Sequence, residues 1–392
     1  MRDCNDNVPI WRVVIPFIVF LSVYLYLYTN AFYGMQTSPV FLVDERDLQA
    51  VRKNKFGSVT QFLKLIEQSD ESLTIEVPAS DLKSTSTTTK PTTKAKQTQN
   101  MSARENTKMV EKYKSEILLN NSEPLLTLFT SWKDSPEKYL LHNLTLYNWV
   151  ALRPFVIPVI FTNEISVAEE CARNGWEVRH VYVTAADGVP VLKYMYKDVM
   201  NSYNSTFYAY TNGDILFTDT LIQTLLCLRN SSLNLDKPVL MVGKRTNVLN
   251  VTESEGSTWV NITKMVEERG QLFTGWAEEY FISTRSFPWS DIADVVIGRR
   301  AYDNWLVYYS RKSKYTVIDS TKTLLAVHQT TKAGNHEGHG HTNKDYNHNL
   351  LVKIYKRIKY NLGVIECVEK YTAYENGIAV VKSRVVRTSC MT

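Results

Sequence analysis

Phe207-Tyr208-Ala209-Tyr210-Thr211-Asn212-Gly213-Asp214-Ile215-Leu216-Phe217 is an apolar, aromatic run interrupted by one polar triplet. Aromatic and β-branched residues favour a strand. The lack of polar alternation predicts a strand buried on both faces, as in parallel sheets. Asn212-Gly213-Asp214 ends the strand. A carboxylate in a turn at a strand end is a suitable ligand for Mg²⁺ or Mn²⁺, which are commonly held by one or two carboxylates together with substrate phosphates. The same triplet is also ordinary turn chemistry, so its meaning depends on its surroundings.

Around this run, strand and helix patterns alternate. Leu125 to Thr130 reads as a strand, Tyr139 to Leu152 as a helix and Val156 to Phe161 as a second strand. Val167 to Asn174 reads as a helix ended by Gly175, Val178 to Val183 as a third strand and Val191 to Tyr203 as a helix. After the central run come a helix from Thr218 to Leu228 and a strand from Val239 to Val242. This order predicts an α/β sandwich with a largely parallel sheet. Ligands bind such sheets at the carboxyl ends of the strands. Thr130-Ser131-Trp132, Thr162-Asn163-Glu164 and Asn212-Gly213-Asp214 would meet there. The chain contains no Gly-x-x-x-x-Gly-Lys-Ser/Thr, no Gly-x-Gly-x-x-Gly after a strand and no Gly-x-Ser-x-Gly. That argues against a P-loop enzyme, a Rossmann oxidoreductase and an α/β-hydrolase.

The N-terminal part is of another kind. Val8 to Tyr28 is apolar apart from Arg12, which is long enough to cross a bilayer core of about 30 Å as a helix. Trp11 and Tyr24, Tyr26 and Tyr28 suit the two interfaces. No small-residue cleavage site follows, so the segment reads as an uncleaved signal-anchor. Residues 29–122 are polar, with a Ser/Thr-Pro core from Ser84 to Thr93, and read as a stalk around a stretch of helix from Ala103 to Leu119. Asn100, Asn120, Asn143, Asn204, Asn230, Asn250 and Asn261 each open an Asn-X-Ser/Thr triplet. All lie after the anchor, which puts that side in the lumen. There Cys171, Cys227, Cys367 and Cys390 are free to pair in any of the combinations four cysteines allow; a Cys367–Cys390 bridge would staple a terminal hairpin about Asn376-Gly377. A net charge of +5 on 392 residues, with scattered basic residues, does not point to nucleic acid.

Two later segments complete the pattern. Val296-Ile297-Gly298-Arg299-Arg300-Ala301-Tyr302-Asp303-Asn304-Trp305-Leu306-Val307 carries Asp303 at the start of a helix, and Leu324 to Gln329 carries His328 at the end of an apolar run. From Leu125 to Gln329 the chain resembles the nucleotide-sugar glycosyltransferases of the GT-A fold, in the form of type II Golgi membrane proteins. In that family a strand-terminal Asp-x-Asp binds the metal and the donor diphosphate. Asn212-Gly213-Asp214 matches it, with Asn in the first place. The segment from Gly298 to Leu306 is similar to the family's later acidic motif, with Tyr302 where a Glu is usual, and His328 stands where a late His completes the metal site.

The resemblance implies a luminal GT-A-like catalytic domain over 123–392, behind a stem over 29–122, an anchor at 8–28 and a cytosolic tail at 1–7. Asp214 and His328 would hold Mn²⁺ or Mg²⁺. Thr130, Asn163, Asn212, Gly213 and Lys244 would bind the nucleotide-sugar donor. Asp303 would be the base of an inverting transfer, with Glu278 and Glu279 in Gly275-Trp276-Ala277-Glu278-Glu279 as the other candidates. Trp276 would stack on the acceptor, a hydroxyl of a glycan, glycoprotein or glycolipid. The run Gly334 to Asn349, with His336, His339, His341 and His348, would close over donor and metal. Pairing of two chains would run through the anchor or stem. A relative that kept the fold and lost the chemistry, as a sugar-binding or scaffolding protein, is the alternative.

Overall fold

The computed structural model describes residues 107–119, 122–331, 340 and 342–391. The expected anchor, most of the stem, Asn100, Asn120, His336, His339 and His341 lie outside the described residues. None of the described helices is long and apolar enough to cross a membrane.

The strands are β1 (Leu126–Thr130), β2 (Val156–Phe161), β3 (Glu177–Arg179), β4 (Thr184–Ala185), β5 (Val189–Pro190), β6 (Phe207–Thr211), β7 (Ile215–Phe217) and β8 (Val239–Val242). Then come β9 (Thr246–Leu249), β10 (Gln271–Leu272), β11 (Tyr280–Thr284), β12 (Thr316–Asp319), β13 (Ala326–Thr330), β14 (Lys370–Glu375) and β15 (Ile378–Ser383). Nine of them form the main sheet, in the order β15-β14-β12-β8-β11-β6-β1-β2-β3. Five of its eight strand pairs are parallel, and β11 runs antiparallel between β6 and β8. The architecture is therefore α/β with a mostly parallel sheet.

The continuous apolar strands follow from burial on both faces. Along β6, Phe207 and Ala209 join one core with Leu126, Leu128, Trp149, Phe217 and Leu225. Tyr208 and Tyr210 join the other, with Phe129, Tyr196, Trp289 and Trp305. Alternate side chains of a strand point to opposite faces, so a helix layer covers each side. The helices Tyr139–Val150 and Thr220–Arg229 contribute to the first core, and Leu192–Ser202 and Tyr302–Lys312 to the second.

A second sheet, β10-β9-β13-β7, packs Leu216, Val248 and Val327 on Leu144, Ile262 and Met265. It matters because β7 continues from β6 through Asn212-Gly213-Asp214, and β9 continues from β8 through Gly243-Lys244-Arg245. Both leave the main sheet at the edge where the parallel strands end. Because β11 is antiparallel, its start lies at that edge too, with Tyr280 opposite Thr211, and the preceding Glu278 and Glu279 arrive there.

Three local expectations change. The third strand stops at Arg179 instead of Val183, because the Asn163 side chain captures the Val181 backbone. Its Oδ1 accepts from the Val181 N–H at 2.8 Å, and its Nδ2 donates to the Val181 carbonyl at 3.1 Å. His348 lies on the helix Tyr346–Tyr355 rather than in an open loop, with Nδ1 3.0 Å from the Tyr360 hydroxyl. Of the cysteines, Cys367 and Cys390 are bridged, while Cys171 and Cys227 are free. The hairpin about Asn376 and Gly377, both at positive φ (48° and 77°), is a turn that Asn-Gly favours. It joins the main sheet through β12, a placement that nothing in its sequence announces. The helix over 107–119 tucks Tyr113 into the first core, where its hydroxyl donates to the Glu123 carbonyl at 2.9 Å.

Candidate functional site

Asp214 sits where β6 hands over to β7. Pairing of β13 with β7 sets His328 opposite Ile215 and brings His328 Nε2 within 3.2 Å of Asp214 Oδ2. The neighbouring Gln329 fixes the backbone, its N–H donating to the Asp214 carbonyl at 3.1 Å. On the open side of β7, Asn148 replaces a missing strand: its amide exchanges two 2.8 Å bonds with the Phe217 backbone. Trp149 Nε1 donates to the Ile215 carbonyl at 3.0 Å. The segment after Asp214 is thereby tied on both sides. His328, expected at the end of its strand, lies in the middle of β13, which makes it a fixed group. Its Nδ1 is 2.9 Å from Thr330 Oγ1.

The second oxygen of Asp214 is buried and has no hydrogen-bond partner among the described residues. Burial pushes this carboxyl up, but His328 and then Arg245 outweigh it, and the pKa lies below the usual Asp value. Asn247, on β9, stands opposite His328 in the parallel pair β13–β9, so the two side chains share a face. Asn247 Oδ1 and Thr130 Oγ1 are also buried without a partner. Unpaired buried acceptors are costly unless something fills the role. A hard cation with oxygen and imidazole ligands fits Asp214 and His328, with Asn247 within the same face. Among the described residues no group of three or more His, Cys, Asp or Glu is arranged for a metal. Two protein ligands completed by substrate oxygens match what Mg²⁺-type sites use.

Gly213 has a steric role. A Cβ there would lie 2.6 Å from the Trp132 ring and 3.5 Å from Thr130 Oγ1, so Gly lets the turn close on the end of β1. Asn212, in the place of the usual first Asp, accepts from the Tyr210 hydroxyl at 2.9 Å and donates through Nδ2 to Glu279 Oε2. Glu279 also pairs with the buried Arg245. An amide is the complement that Glu279 needs; a carboxylate would oppose it.

The three candidate bases now separate. Glu279 is engaged by Arg245 and Asn212; burial pushes its pKa up, with Arg245 opposing. Glu278 is 2% exposed, and both its oxygens accept from Asn304 Nδ2, at 3.3 and 3.0 Å. Burial, then the charge of Asp303, pushes its pKa well up. It is therefore a packed group committed to Asn304. Asp303 is partly accessible at the start of the helix Tyr302–Lys312. Burial pushes its carboxyl up to about 7, against the pull of the Asn304 N–H and with Glu279 adding to the rise. A partly exposed carboxylate that titrates near neutrality is poised as a base.

Besides Asn212, two more expected donor-side residues are engaged elsewhere. Lys244 pairs with Glu366 of the C-terminal segment, because its backbone bridges to Glu278 and turns the side chain toward that segment. Asn163 holds Val181, as described. A cavity of about 400 Å³ beside it is lined by Thr162, Glu164, Ile165, Arg179, His180 and Tyr182 among others, and a second of about 510 Å³ lies between Lys244, Trp276 and the C-terminal segment. Sequence reasoning missed Asn247, Gln329, Asn148 and Asn304. All are amides whose roles depend on pairing register, and no local motif marks them.

No family model matches the chain, and no curated protein does. Solved structures superpose in part. The inositol-1-phosphate CTP transferase of T. maritima aligns at 14% identity and TM-score 0.33, over 54% of this chain and 91% of that one. A CMP:2-keto-3-deoxy-manno-octonic acid synthetase complexed with CTP aligns at 10% identity and TM-score 0.29, over 54% and 90%. A mannosyltransferase from Pyrobaculum calidifontis, in complex with GDP-Man and Mn²⁺, aligns at 12% identity and TM-score 0.30, over 62% and 70%. Similarity of this size carries no functional weight.

Proposed function

We propose that this chain is a GT-A-like glycosyltransferase, which moves a sugar from a nucleotide-diphosphate sugar to a hydroxyl of a glycan, glycoprotein or glycolipid. We place it in the Golgi membrane as a single-pass type II protein with residues beyond the anchor in the lumen. The observation that carries the activity is the Asp214 carboxylate, one oxygen against His328 and the other buried and unpartnered. A divalent cation held by Asp214 and His328 would neutralise the diphosphate as it leaves.

The chain's own residues supply the rest. Gly213 keeps the turn close to β1; Thr130, expected on the donor, lies fully buried behind that turn, and Arg245 adds positive charge near Asp214. Asn212 positions Glu279 rather than the cation. Asp303 accepts the proton of the acceptor hydroxyl as its oxygen bonds to the sugar's C1 and the bond from C1 to the diphosphate oxygen breaks. Attack opposite the leaving group inverts the anomeric centre. Trp276, 54% exposed, offers an aromatic face to the acceptor.

The test is nucleotide release by the purified chain from a panel of UDP- and GDP-sugars, with Mn²⁺ or with chelator. Release that needs the ion and is lost in Asp214→Asn is expected. If no donor is cleaved with or without saccharide acceptors, the non-catalytic sugar-binding or scaffolding alternative replaces this reading. Topology is tested separately: endoglycosidase should lower the apparent mass of the expressed protein by several glycans.

A further inference from the structure

The C-terminal segment closes one end of the crevice. Gly363 packs so tightly on the Asp303 helix that a Cβ there would overlap the Asn304 carbonyl. Arg311 of that helix donates to the Leu362 and Cys390 carbonyls. The Ile365 N–H donates to the Gly275 carbonyl at 3.2 Å, and the Glu366 carboxylate fills the space that a side chain at 275 would need. The Cys367–Cys390 bridge ties the two ends of this segment together.

Between it and Trp276 lies the 510 Å³ cavity, lined also by Lys244, Thr274, Asn361, Arg387 and Ser389. That volume is within the range of about 300–1,000 Å³ typical of small-ligand sites. Its walls combine an exposed indole with hydroxyl, amide and cationic groups. Its charges do not cancel: Lys244 and Arg387 face the single acid Glu366. Glu366 is already paired with Lys244, and burial, which raises its pKa, is outweighed by Lys244, so it stays ionised. Arg387 is exposed and has no carboxylate partner among the described residues. The cavity is also next to the reaction centre. Lys244 bridges to Glu278, Glu278 is held by Asn304, and Asn304 adjoins Asp303.

We propose that this cavity is the acceptor subsite and selects a saccharide carrying a negative group, which Arg387 binds while the sugar ring lies on Trp276. The inference rests on the glycosyltransferase reading above and adds the acceptor's chemical class. A carboxylate, as in a hexuronic acid, and a sulfate ester present the same fork of oxygens to a guanidinium.

The test is direct binding to the full chain, measured by saturation-transfer NMR or calorimetry without any donor. The probes are matched pairs: methyl glucuronide against methyl glucoside, and 6-sulfogalactoside against galactoside. The charged member of at least one pair should bind about fivefold tighter or better, the scale of one charge-assisted bond at a part-exposed site. Which pair responds identifies carboxylate or sulfate. Arg387→Gln should reduce the advantage to under about twofold, Arg387→Lys should restore part of it, and added salt should weaken it. Trp276→Ala should weaken charged and neutral members alike. Equal affinities in both pairs, or an advantage that survives Arg387→Gln, overturn the proposal. Donor cleavage without charge preference would remove this subsite and keep the transferase reading. Charge preference with no donor cleavage would keep the subsite and remove the transferase.

Discussion

Two carboxylates at the same edge of the sheet are pushed in opposite directions. Asp214 belongs to the half of the crevice made by strands, where β13 holds His328, β9 holds Asn247 and the connection before β9 brings in Arg245. Half-buried, with one oxygen enclosed, it is kept ionised by His328 and Arg245. Asp303 belongs to the half made by loops and the C-terminal segment, after Gly298 and Ala301 at positive φ (61° and 86°). Although partly open to solvent, it is held near neutrality. Under the proposed transfer, the first would serve as a permanent anion and the second as a proton acceptor. The strand-built half is tied by backbone hydrogen bonds on both sides of β7. The loop-built half is where substrates can differ.

The comparison breaks most severely at Asp214. Asp214→Asn keeps the shape and removes the charge that opposes His328 and the cation. Ion-dependent donor cleavage should fall by about 10³-fold, the upper range for losing one electrostatic group at a reacting centre. Calorimetry should show loss of Mn²⁺ binding, while thermal melting stays close to wild type. A variant that melts far earlier would make Asp214 a structural turn residue.

Asp303→Asn should leave Mn²⁺ and donor binding intact and lower transfer by at least about 10²-fold. In the wild type, transfer should rise about tenfold per pH unit toward pH 7 and level above it, as the base loses its proton near 7. The stability effect has a definite sign. The folded pKa is raised above the ordinary value of about 3.9, so the ionised carboxyl opposes folding increasingly from about pH 4 to about 7 and constantly above. Asp303→Asn should therefore melt higher than wild type at pH 8 and lose that advantage at pH 4. An inactive variant that is also less stable at pH 8 would contradict the raised pKa.

The sequence carried the strand-built half well. Apolar runs such as 156–161 and 239–242 match β2 and β8, because a strand buried on both faces cannot hide its composition. Asp214 and His328 were legible as neighbours only through the order of motifs; their contact depends on β13 pairing antiparallel to β7, which no local residue announces. The antiparallel insertion of β11 was illegible for the same reason. The partner of Lys244 was illegible, because a basic residue after a strand looks the same whether it faces phosphate or, as here, pairs with Glu366. The tail was harder still. Its turn residues signal a hairpin, but its docking on the Asp303 helix depends on Gly363 and Arg311, far apart in sequence.

Asn212 sharpens the contrast between the halves. Asn212→Asp would complete an Asp-x-Asp and place the new acid against Glu279, which now accepts from the Asn212 amide. Two carboxylates in that space cannot both ionise. We expect a loss of about 1–3 kcal/mol in urea denaturation, the cost of an unsatisfied buried acceptor, with no gain in Mn²⁺ affinity. A variant that binds Mn²⁺ more tightly at unchanged stability would place residue 212 on the cation after all.

The smallest expected effect probes how far the strand-built half extends. Asn247 is opposite His328 in register, on the same face, with a buried oxygen that no described residue satisfies. A neutral amide oxygen is a legitimate but weak ligand for Mg²⁺- or Mn²⁺-like ions. Its contribution should be less than that of the charged Asp214 and comparable to a supporting group, about tenfold in affinity. Asn247→Ala should therefore weaken Mn²⁺ binding about tenfold, and Asn247→Asp should tighten it by adding charge on the same side. Neither change touches Asp303, so the pH dependence of the transfer that remains should keep its inflection near 7. If both variants bind Mn²⁺ as wild type does, the cation's protein ligands end at Asp214 and His328. The free oxygen of Asn247 would then have to face the donor itself, and Asn247→Ala should raise the KM for donor with the ion saturating.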